Sequence, residues 1–382
     1  MGRMANAPFS ASARTPRDTR LDTLRGLMLA EITLVHVGCP LGTFTNEMFG
    51  RVSVAAGFVF LSGLVAGAVY SRTAERGAGP IFRRCLRRGL YIHVYHLAAF
   101  VALVAALLTQ PRFAEYFHFA MLPTVAGALR PLMYFAVWAY QPIDFDVLPM
   151  YALFVLAMPA ALLALRADRG LLMLCVSLGL WACAQWGLGS RTPGPTTFGF
   201  FRGEFNPLAW QFVFFSGLYF GYRHLHQQCP IVRPQPLLIA LCILLCMLGL
   251  TMRWQVVPWP AAFARGGLLA SKADYGATYL VNFLAFAYLT YCLARVAPRA
   301  FQWRFLAFLG RHSIQVFSFQ LVLVYLARPL YWRAAAHGAL AFDALGLAVV
   351  AMLFLPAFCH ASWQSWRTGL SAVGPRAYRS RG

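Results

Sequence analysis

Lysine and acidic residues are scarce in this chain. Among 382 residues there is one lysine, and only 12 residues are aspartate or glutamate, whereas 60% of the sequence is hydrophobic. Repeated apolar runs long enough to cross a bilayer exclude an ordinary soluble protein. The sequence also lacks close CxxC pairs, although it contains nine cysteines. No metal site is therefore expected, and the cysteines are interpreted as small hydrophobic side chains.

Arginine carries almost all of the positive charge. The formal net charge is +21, and most arginines lie in short segments between apolar runs. This pattern is typical of the topology signal of a membrane protein, so no nucleic acid partner is expected. A smaller share of the arginines remains available for an anionic ligand.

The apolar runs predict an all-α polytopic membrane protein with about ten transmembrane helices. With the amino terminus inside, and with Arg25 at the edge of the first span counted as cytosolic, the cytosolic segments hold 22 basic residues and the outer segments hold 10, which predicts that both termini are cytosolic. The expected parts are a cytosolic tail (1–19), a membrane domain (20–362) and a basic cytosolic tail (363–382). The predicted spans are 24–41, 52–70, 89–109, 147–165, 170–188, 207–222, 236–252, 275–294, 305–327 and 341–362.

Three connecting segments are long. The aromatic stretch 110–146 predicts an interfacial or re-entrant helix on the outer side. The segments 189–206 and 253–274 are rich in glycine or proline and are expected to form irregular outer loops.

The first span contains the sharpest candidates for chemistry. Arg25 and His36 are eleven residues apart, which is almost three helical turns and about 16 Å, so they share one face. Asp22 lies on that face by its spacing of three from Arg25. In a hydrocarbon core of about 30 Å, His36 is expected near the midplane. One helix face therefore joins the cytosolic surface to the membrane centre.

Ionisable groups inside a span usually mark a functional site. Histidine has an ordinary pKa near neutrality, so His36 is a candidate general base. The alternative is a histidine that is hydrogen-bonded between helices. Glu31 lies roughly 140° around the helix from His36 and is expected to pair with an arginine or polar group on another helix.

Four arginines form a compact cationic face at the cytosolic edge of the third span. Arg83, Arg84, Arg87 and Arg88 are spaced by three and four residues, which suits phosphate groups. Simple anchoring by positive charge is the alternative. In the second span, Ser62 lies beside two glycines, Gly63 and Gly67, where close helix packing is the simpler interpretation.

Polar residues also cluster at the ends of later spans. Asp144 and Asp146 precede the fourth span and suit sugar hydroxyls, although Asp146 could simply cap the helix. The run Arg311, His312, Ser313 and Gln315 near the cytosolic end of the ninth span is not explained by lipid contact. At the outer end of the sixth span, amide and aromatic groups suit carbohydrate, although an interfacial belt is equally expected there: Asn206, Trp210 and Gln211.

Several of these segments carry a family resemblance. RLDTLRGL with His36 downstream, GFVFLSGLVAG, IDFDVLPMY, FNPLAWQ and LGRHSIQVF occur in this order. Over about residues 18–325 the chain resembles the OpgC family, bacterial inner-membrane enzymes that succinylate osmoregulated periplasmic glucans. That family is similar to the broader acyltransferase family 3, whose signature of an arginine, ten residues and a histidine is matched by Arg25 and His36.

The resemblance implies a donor and an acceptor on opposite sides of the inner membrane. Acyl-coenzyme A, with succinyl-coenzyme A as the implied co-substrate, would bind from the cytosol, and a periplasmic glucan hydroxyl would be acylated. No tightly bound cofactor is expected. The donor would contact Arg25, the arginine cluster, Arg311 and His312, with Asp22, Glu31, Ser62 and Ser313 in support. Direct transfer and a transient acyl-histidine both remain open.

Gly57 departs from the family pattern, in which an acidic residue precedes FVFLSG. If that carboxylate helps to orient a reacting group or the acceptor, a different acceptor or acyl group is expected for this protein. A proton-coupled transporter or flippase using His36 and Glu31 is the alternative function, and a non-catalytic part of a glycan-assembly complex is a third. The transporter hypothesis predicts internal repeats, and none is visible in the sequence. The oligomeric state is left open.

Overall fold

The computed structural model describes residues 18–117, 125–189, 205–227, 234–263 and 267–373. Within these ranges the regular structure is helical, and seven segments are long and apolar enough to cross a membrane. The chain is an all-α polytopic membrane protein, as predicted. Its α-helices are α1 (Thr19–Val37), α2 (Pro40–Thr45), α3 (Val54–Ala74), α4 (Ala78–Thr109), α5 (Ala114–Phe117), α6 (Val125–Ala136), α7 (Val147–Arg166), α8 (Gly170–Gln185), α9 (Pro207–Phe220), α10 (Pro236–Trp254), α11 (Ala277–Val296), α12 (Arg304–Arg311), α13 (Ser313–Ala336), α14 (Ala339–Met352) and α15 (Phe354–Val373).

Each of the ten predicted spans falls on helical structure. Three of them lie on helices outside the set of seven, because α1 carries four charged residues and because α8 and α9 have only 16 and 14 residues. Helices α14 and α15 together form one of the seven segments, Ala339–Arg367. Helices α8 and α9 are therefore outside the set because of their length, whereas α1 is outside it because it combines a helical span with charged side chains.

Two predicted boundaries near candidate residues are wrong. Helix α1 ends at Val37 instead of 41, because Gly38 adopts a left-handed conformation (φ 73°) and its N–H bonds to Leu34 O. His36 thus lies in the last helical turn. The predicted span 305–327 is divided at His312, whose backbone (φ −107°, ψ 28°) separates α12 from α13.

Two other helices extend past their predicted limits. Helix α4 begins at Ala78, so the four arginines lie within its first turns. Helix α15 continues to Val373, eleven residues beyond the predicted end of the last span and well into the predicted carboxyl-terminal tail.

The long connecting segments are only partly described. The stretch 110–146 contains two short helices, α5 and α6, instead of one, and residues 118–124 between them lie outside the described residues. The loop 253–274 contains the 3₁₀ turns Ala261–Phe263 and Leu268–Ala270. Most of the predicted loop 189–206 and of both predicted tails also lies outside the described residues.

The start of α1 follows from its local sequence. The Asp18 carboxylate accepts a hydrogen bond of 2.9 Å from Arg20 N at the helix start and pairs with the Arg20 guanidinium at 2.8 Å. Burial raises the pKa of Asp18, but the hydrogen bonds and charge of Arg20 outweigh it and hold the pKa below its ordinary value. The Arg20 guanidinium also donates to Ala294 O at 3.2 Å, which ties α1 to the end of α11.

Glycines allow two pairs of helices to touch backbone to backbone. In α3 and α9, a Cβ at Gly63 would overlap Phe214 O, and a Cβ at Gly217 would overlap Phe60 O. The close approach predicted beside Ser62 is thus found, with α9 as the neighbour. A Cβ at Gly310 would likewise overlap the Asp22 carbonyl, which holds α12 directly against α1.

The helices define two ends of the bundle. We call the end that contains Arg25, Arg88 and Arg311 the arginine end, and the end that contains Asp144 and Asp146 the aspartate end. Helices α1 and α13 both run from the arginine end to the aspartate end. The two ends therefore carry the two groups of candidate residues.

Replacing Gly310 with alanine is expected to destabilise the protein by about 1–3 kcal/mol, because the new methyl group has no space beside α1. Thermal unfolding of the detergent-solubilised protein, followed by its helical circular dichroism, measures the effect. Gly179→Ala is the matched control, since a Cβ at this exposed helical glycine meets nothing within 4 Å. Equal melting temperatures for the two variants would contradict the proposed contact.

Candidate active site

One face of α1 lies along α13. The Arg25 guanidinium donates to Ser313 Oγ at 2.7 Å, and eleven residues later the His36 ring contacts Gln320. Ser313 and Gln320 are seven residues apart, or about two turns, so they also share a helix face. The structure therefore places Arg25 and His36 on one face of α1, about 16 Å apart along the helix.

His36 is held on both sides of its ring. Gln320 Nε2 lies 2.8 Å from His36 Nδ1, and Asp144 Oδ1 lies 3.4 Å from His36 Nε2. Gln320 is fully buried, whereas the His36 and Asp144 side chains retain 18% and 16% exposure. The Nε2 side of the ring is therefore the side that another molecule can reach.

Asp144 belongs to a fixed turn before α7. Its backbone is left-handed (φ 70°), a conformation that aspartate tolerates better than most residues. Tyr325 OH donates to Ile143 O at 2.9 Å on one side, and Phe145 is fully buried on the other. The guanidinium of Arg328 lies over the Tyr325 ring at 3.8 Å. These contacts hold the Asp144 carboxylate against His36.

The Gln320 amide determines where His36 carries its proton. If Gln320 presents its nitrogen, Nδ1 accepts and the proton lies on Nε2, facing Asp144. If Gln320 presents its oxygen, Nδ1 donates and Nε2 has a free lone pair. Gln320 Oε1 is buried and has no hydrogen bond to any described residue in the first orientation. The Gln320 amide thus bonds to Nδ1, the ring nitrogen of His36 that faces away from the exposed side of the ring.

At the arginine end, a second polar group surrounds the break between α12 and α13. Arg311 Nε lies 3.5 Å from Asp22 Oδ2, and Asp22 is 4% exposed. Arg25 lies one turn further along α1, with its guanidinium 5.6 Å from the Phe58 ring centroid. The helix break thus brings Arg311 to Asp22 and Ser313 to Arg25.

A histidine pair continues from this break. His312 Nδ1 lies 2.8 Å from His360 Nδ1 in α15, and His360 Nε2 lies 3.2 Å from Gln315 Nε2. Gln315 also donates to Tyr91 OH at 3.0 Å and Tyr95 OH at 3.2 Å in α4. These groups form a continuous polar chain from α12 to α4.

The arginine cluster of α4 adjoins that chain. The Arg88 guanidinium lies 5.4 Å from the Tyr91 ring centroid, whereas Arg84 lies over Tyr70 and donates to Thr73 Oγ1 in α3. Arg83 and Arg87 are exposed, and Arg83 makes only a long bond (3.5 Å) to Gly79 O of its own helix. Two of the four arginines are thus engaged with neighbouring aromatic rings, and the other two face outward.

Asp146 lies beside a small recess at the aspartate end. It occupies the N-cap position of α7, but its side chain makes no capping hydrogen bond there and accepts from Phe205 N at 3.0 Å instead. The recess holds about 10 Å³, room for one water molecule or hydroxyl group, and Trp138 and Gln141 also line it. Gln141 is 6% exposed, and its amide makes no hydrogen bond of normal geometry to any described residue.

The structure does not bring Asn206, Trp210 and Gln211 to His36. Asn206 caps α9 through Leu208 N and donates to Asp274 Oδ1, and Trp210 Nε1 donates to Ala273 O. The Gln211 amide nitrogen donates to Ser177 O at 2.7 Å, and its oxygen accepts from Ser177 Oγ. All three side chains join α9 to α8 or to the 271–276 segment.

Three other positions differ in their surroundings. Glu31 makes no hydrogen bond or ion pair with any described residue, so the expected partner on another helix is not found among them. Ser62 is buried, and its hydroxyl has no hydrogen bond within the described ranges. At Gly57, the end of the Met28 side chain fills the space that an acidic side chain would enter.

A family model described as OpgC protein matches residues 17–367. The chain belongs to the OpgC family. No curated protein and no solved structure matches it. Membership of this OpgC family supports, in general terms, a membrane transferase with an acyltransferase-like role in glucan modification.

Several residues of the site are not among the candidates that the sequence predicts. Gln320 and His360 are polar side chains inside predicted spans, so the rule that selected His36 could have selected them too. Tyr325, Arg328 and Gln141 carry no such signal, because tyrosine, arginine and glutamine are common near the ends of spans. Only the fold shows that they support Asp144 or the recess.

We expect neutral His36 to carry its proton on Nδ1, because Gln320 Oε1, which has no hydrogen bond to any described residue when the amide nitrogen faces the ring, can then accept from Nδ1–H. The ¹⁵N chemical shifts of histidine-labelled protein, assigned by difference with His36→Asn, report this tautomer. Gln320→Leu removes the Nδ1 partner and should produce a mixture. Equal populations of both tautomers in the parent protein would contradict the role given to Gln320.

Proposed function

We propose that this OpgC family member is an O-acyltransferase that moves a succinyl group from cytosolic acyl-coenzyme A to a hydroxyl of a periplasmic glucan. The observation that carries the proposal is the position of His36, fixed by Gln320 and Asp144 on a helix face that also bears Arg25. In this proposal the arginine end faces the cytosol, the aspartate end faces the periplasm and the membrane is the bacterial inner membrane. Both chain termini are then cytosolic.

The donor would bind at the arginine end. Its phosphates are held by Arg83, Arg84, Arg87 and Arg88 of α4. Arg311 and His312 contribute from the α12 side, which the hydrogen bond from Gln315 to Tyr91 joins to α4. Coenzyme A carries its thioester on a long pantetheine arm. An arm that passes Arg25 along α1 covers about 16 Å to reach His36.

The chemical step uses the exposed nitrogen of His36. With Gln320 presenting its amide oxygen to Nδ1–H, Nε2 takes the proton of the acceptor hydroxyl while the hydroxyl oxygen attacks the thioester carbonyl carbon. The C–S bond then breaks, and the coenzyme A thiolate takes the proton from the imidazolium. The products are an ester and free coenzyme A, and the histidine returns to its starting state.

Asp144 would orient the acceptor and stabilise the imidazolium. Its Oδ1 lies 3.4 Å from Nε2, so it can accept a hydrogen bond from a neighbouring hydroxyl of the acceptor and faces the imidazolium charge once Nε2 has taken the proton. Asp146 and Gln141 would receive a further acceptor hydroxyl at the recess. Asn206, Trp210 and Gln211 are proposed to hold the α8 and α9 wall of the acceptor side, because their own polar groups already bond within the protein.

His36→Ala is expected to lower acyl transfer by at least about 10²-fold, because the general base is lost. Membranes are given labelled succinyl-coenzyme A or acetyl-coenzyme A together with a periplasmic glucan, and ester formation is measured at equal protein level. Asp144→Asn should lower transfer by about 10-fold or more while keeping its left-handed backbone. Asp168→Asn is the control, since Asp168 is also left-handed (φ 57°) but exposed at the other end. Transfer by His36→Ala at the parent rate would refute the mechanism.

Replacing Arg84, Arg87 and Arg88 together with glutamine is expected to raise the KM for the acyl donor by about 10-fold or more with little change in kcat. The reason is that these residues are proposed to bind phosphates away from the reacting atoms. The control replaces Arg295, Arg299 and Arg304, which are exposed at the same end. This replacement removes the same amount of positive charge. An unchanged KM in the α4 variant would show that the cluster only anchors the protein, and an equal rise in both triple variants would show a general effect of surface charge instead of a binding site.

A further inference from the structure

A second cavity lies at the aspartate end, at the carboxyl end of α10. It has a volume of about 300 Å³, large enough for a substituted sugar or a phosphate group. Its lining residues are Arg51, Met252, Arg253, Trp254 and Gln255. We call it the α10 pocket. None of these residues belongs to the site around His36.

Arg51 is the unusual member of this lining. It is 2% exposed, yet within the described residues its guanidinium makes one long hydrogen bond to the backbone, 3.4 Å from Nη2 to Met252 O, and contacts the side chain of Tyr279, whose ring centroid lies 5.8 Å away. Its Nε is buried and has no partner there. A guanidinium has five N–H donors, and leaving several of them unused in a buried place is costly. Arg51 therefore has donors to offer to a ligand in the pocket.

The carboxylate nearest to Arg51 is that of Glu47, which also contacts Lys272 and Tyr279. Glu47 Oε2 lies 3.8 Å from Arg51 Nη1, while Glu47 Oε1 lies 3.8 Å from Lys272 Nζ and accepts from Tyr279 OH at 2.9 Å. Arg253 adds a third positive charge at the pocket wall. Glu47 thus pairs with two cations, and with Arg253 the three positive charges outnumber this carboxylate, so the local charge is positive before any ligand binds.

The rest of the wall suits a ligand that has an apolar part beside its charged group. Arg253 uses Nε and Nη2 on Asn46 O and Thr43 O, and its guanidinium also lies 4.7 Å from the Trp254 ring centroid. Trp254 is 45% exposed and contacts Phe44 at 5.9 Å between ring centroids. An exposed aromatic ring beside arginine suits the apolar face of a sugar that carries an anionic group.

We propose that the α10 pocket binds an anionic group of the phosphate or carboxylate class, with the anion on Arg51 and the adjoining part of the ligand on Trp254. At a membrane surface such a group comes from a substituted carbohydrate or from a lipid headgroup. The proposal does not depend on acyl transfer, because its residues are separate from His36.

The test is calorimetric titration of the protein in neutral phosphatidylcholine nanodiscs with glucose 6-phosphate, glucose and inorganic phosphate. Glucose 6-phosphate is expected to bind at least 10-fold more tightly than glucose, and its affinity should fall as salt rises. Repeating the titration in phosphatidylglycerol nanodiscs distinguishes the sources. Unchanged affinity supports a carbohydrate ligand, and at least 10-fold weaker apparent affinity supports a lipid headgroup that already occupies the pocket.

Arg51→Gln should abolish the preference for glucose 6-phosphate. Because Arg51 is buried, Gln255→Glu provides a second variant that adds a negative charge at an exposed wall residue and should weaken binding at least 10-fold. Gln110→Glu is its matched control, an exposed glutamine that also ends a helix at the aspartate end. Equal affinity for glucose and glucose 6-phosphate, or equal loss in Gln255→Glu and Gln110→Glu, would overturn the proposal. His36→Ala should bind as the parent does, which separates this result from a failure of the acyl transfer mechanism.

Discussion

The direct contact between α1 and α12 sets the geometry of the candidate site. Gly26 and Gly310 let the two backbones meet, since side chains at either position would overlap carbonyl oxygens of Leu306 or Asp22. With α12 fixed there, the break at His312 directs α13 along the same face of α1. Ser313 then meets Arg25 and Gln320 meets His36. Two glycines thus determine which polar residues can face each other further along the helices.

The helix break is also where several polar side chains find partners. A continuous helix through His312 would keep its backbone groups bonded within the helix and place neighbouring side chains around its circumference. Ending α12 at Arg311 and starting α13 at Ser313 lets consecutive residues reach different helices: Arg311 reaches Asp22 in α1 and His312 reaches His360 in α15. Non-helical backbone at membrane depth is tolerated where protein surrounds it. The break therefore accounts for the run of polar residues that lipid contact could not explain.

The helical class and the positions of most spans were predictable because apolar runs and arginine-rich edges are local signals. The common face of Arg25 and His36 was also predictable, since it follows from helix periodicity alone. The position of Asp144 beside His36 was not, because it depends on a left-handed turn and on the bond from Tyr325 to Ile143. The bonds of Asn206 and Gln211 to α8 and the 271–276 segment depend in the same way on contacts between distant parts of the chain. Residue type and spacing identify candidates, and only tertiary contacts separate the ones that face a ligand from the ones that join helices.

The burial of Gln320 has a consequence for proton movement. A histidine that relays protons along a path takes a proton on one ring nitrogen and releases it from the other, so both nitrogens need mobile partners. In this protein Nδ1 meets a fully buried amide that can neither accept a proton for onward transfer nor be replaced by water. A proton that enters at Nε2 must leave from Nε2. In the proposed acyl transfer, His36 would therefore take the proton of the acceptor hydroxyl at Nε2 and release it from the same nitrogen.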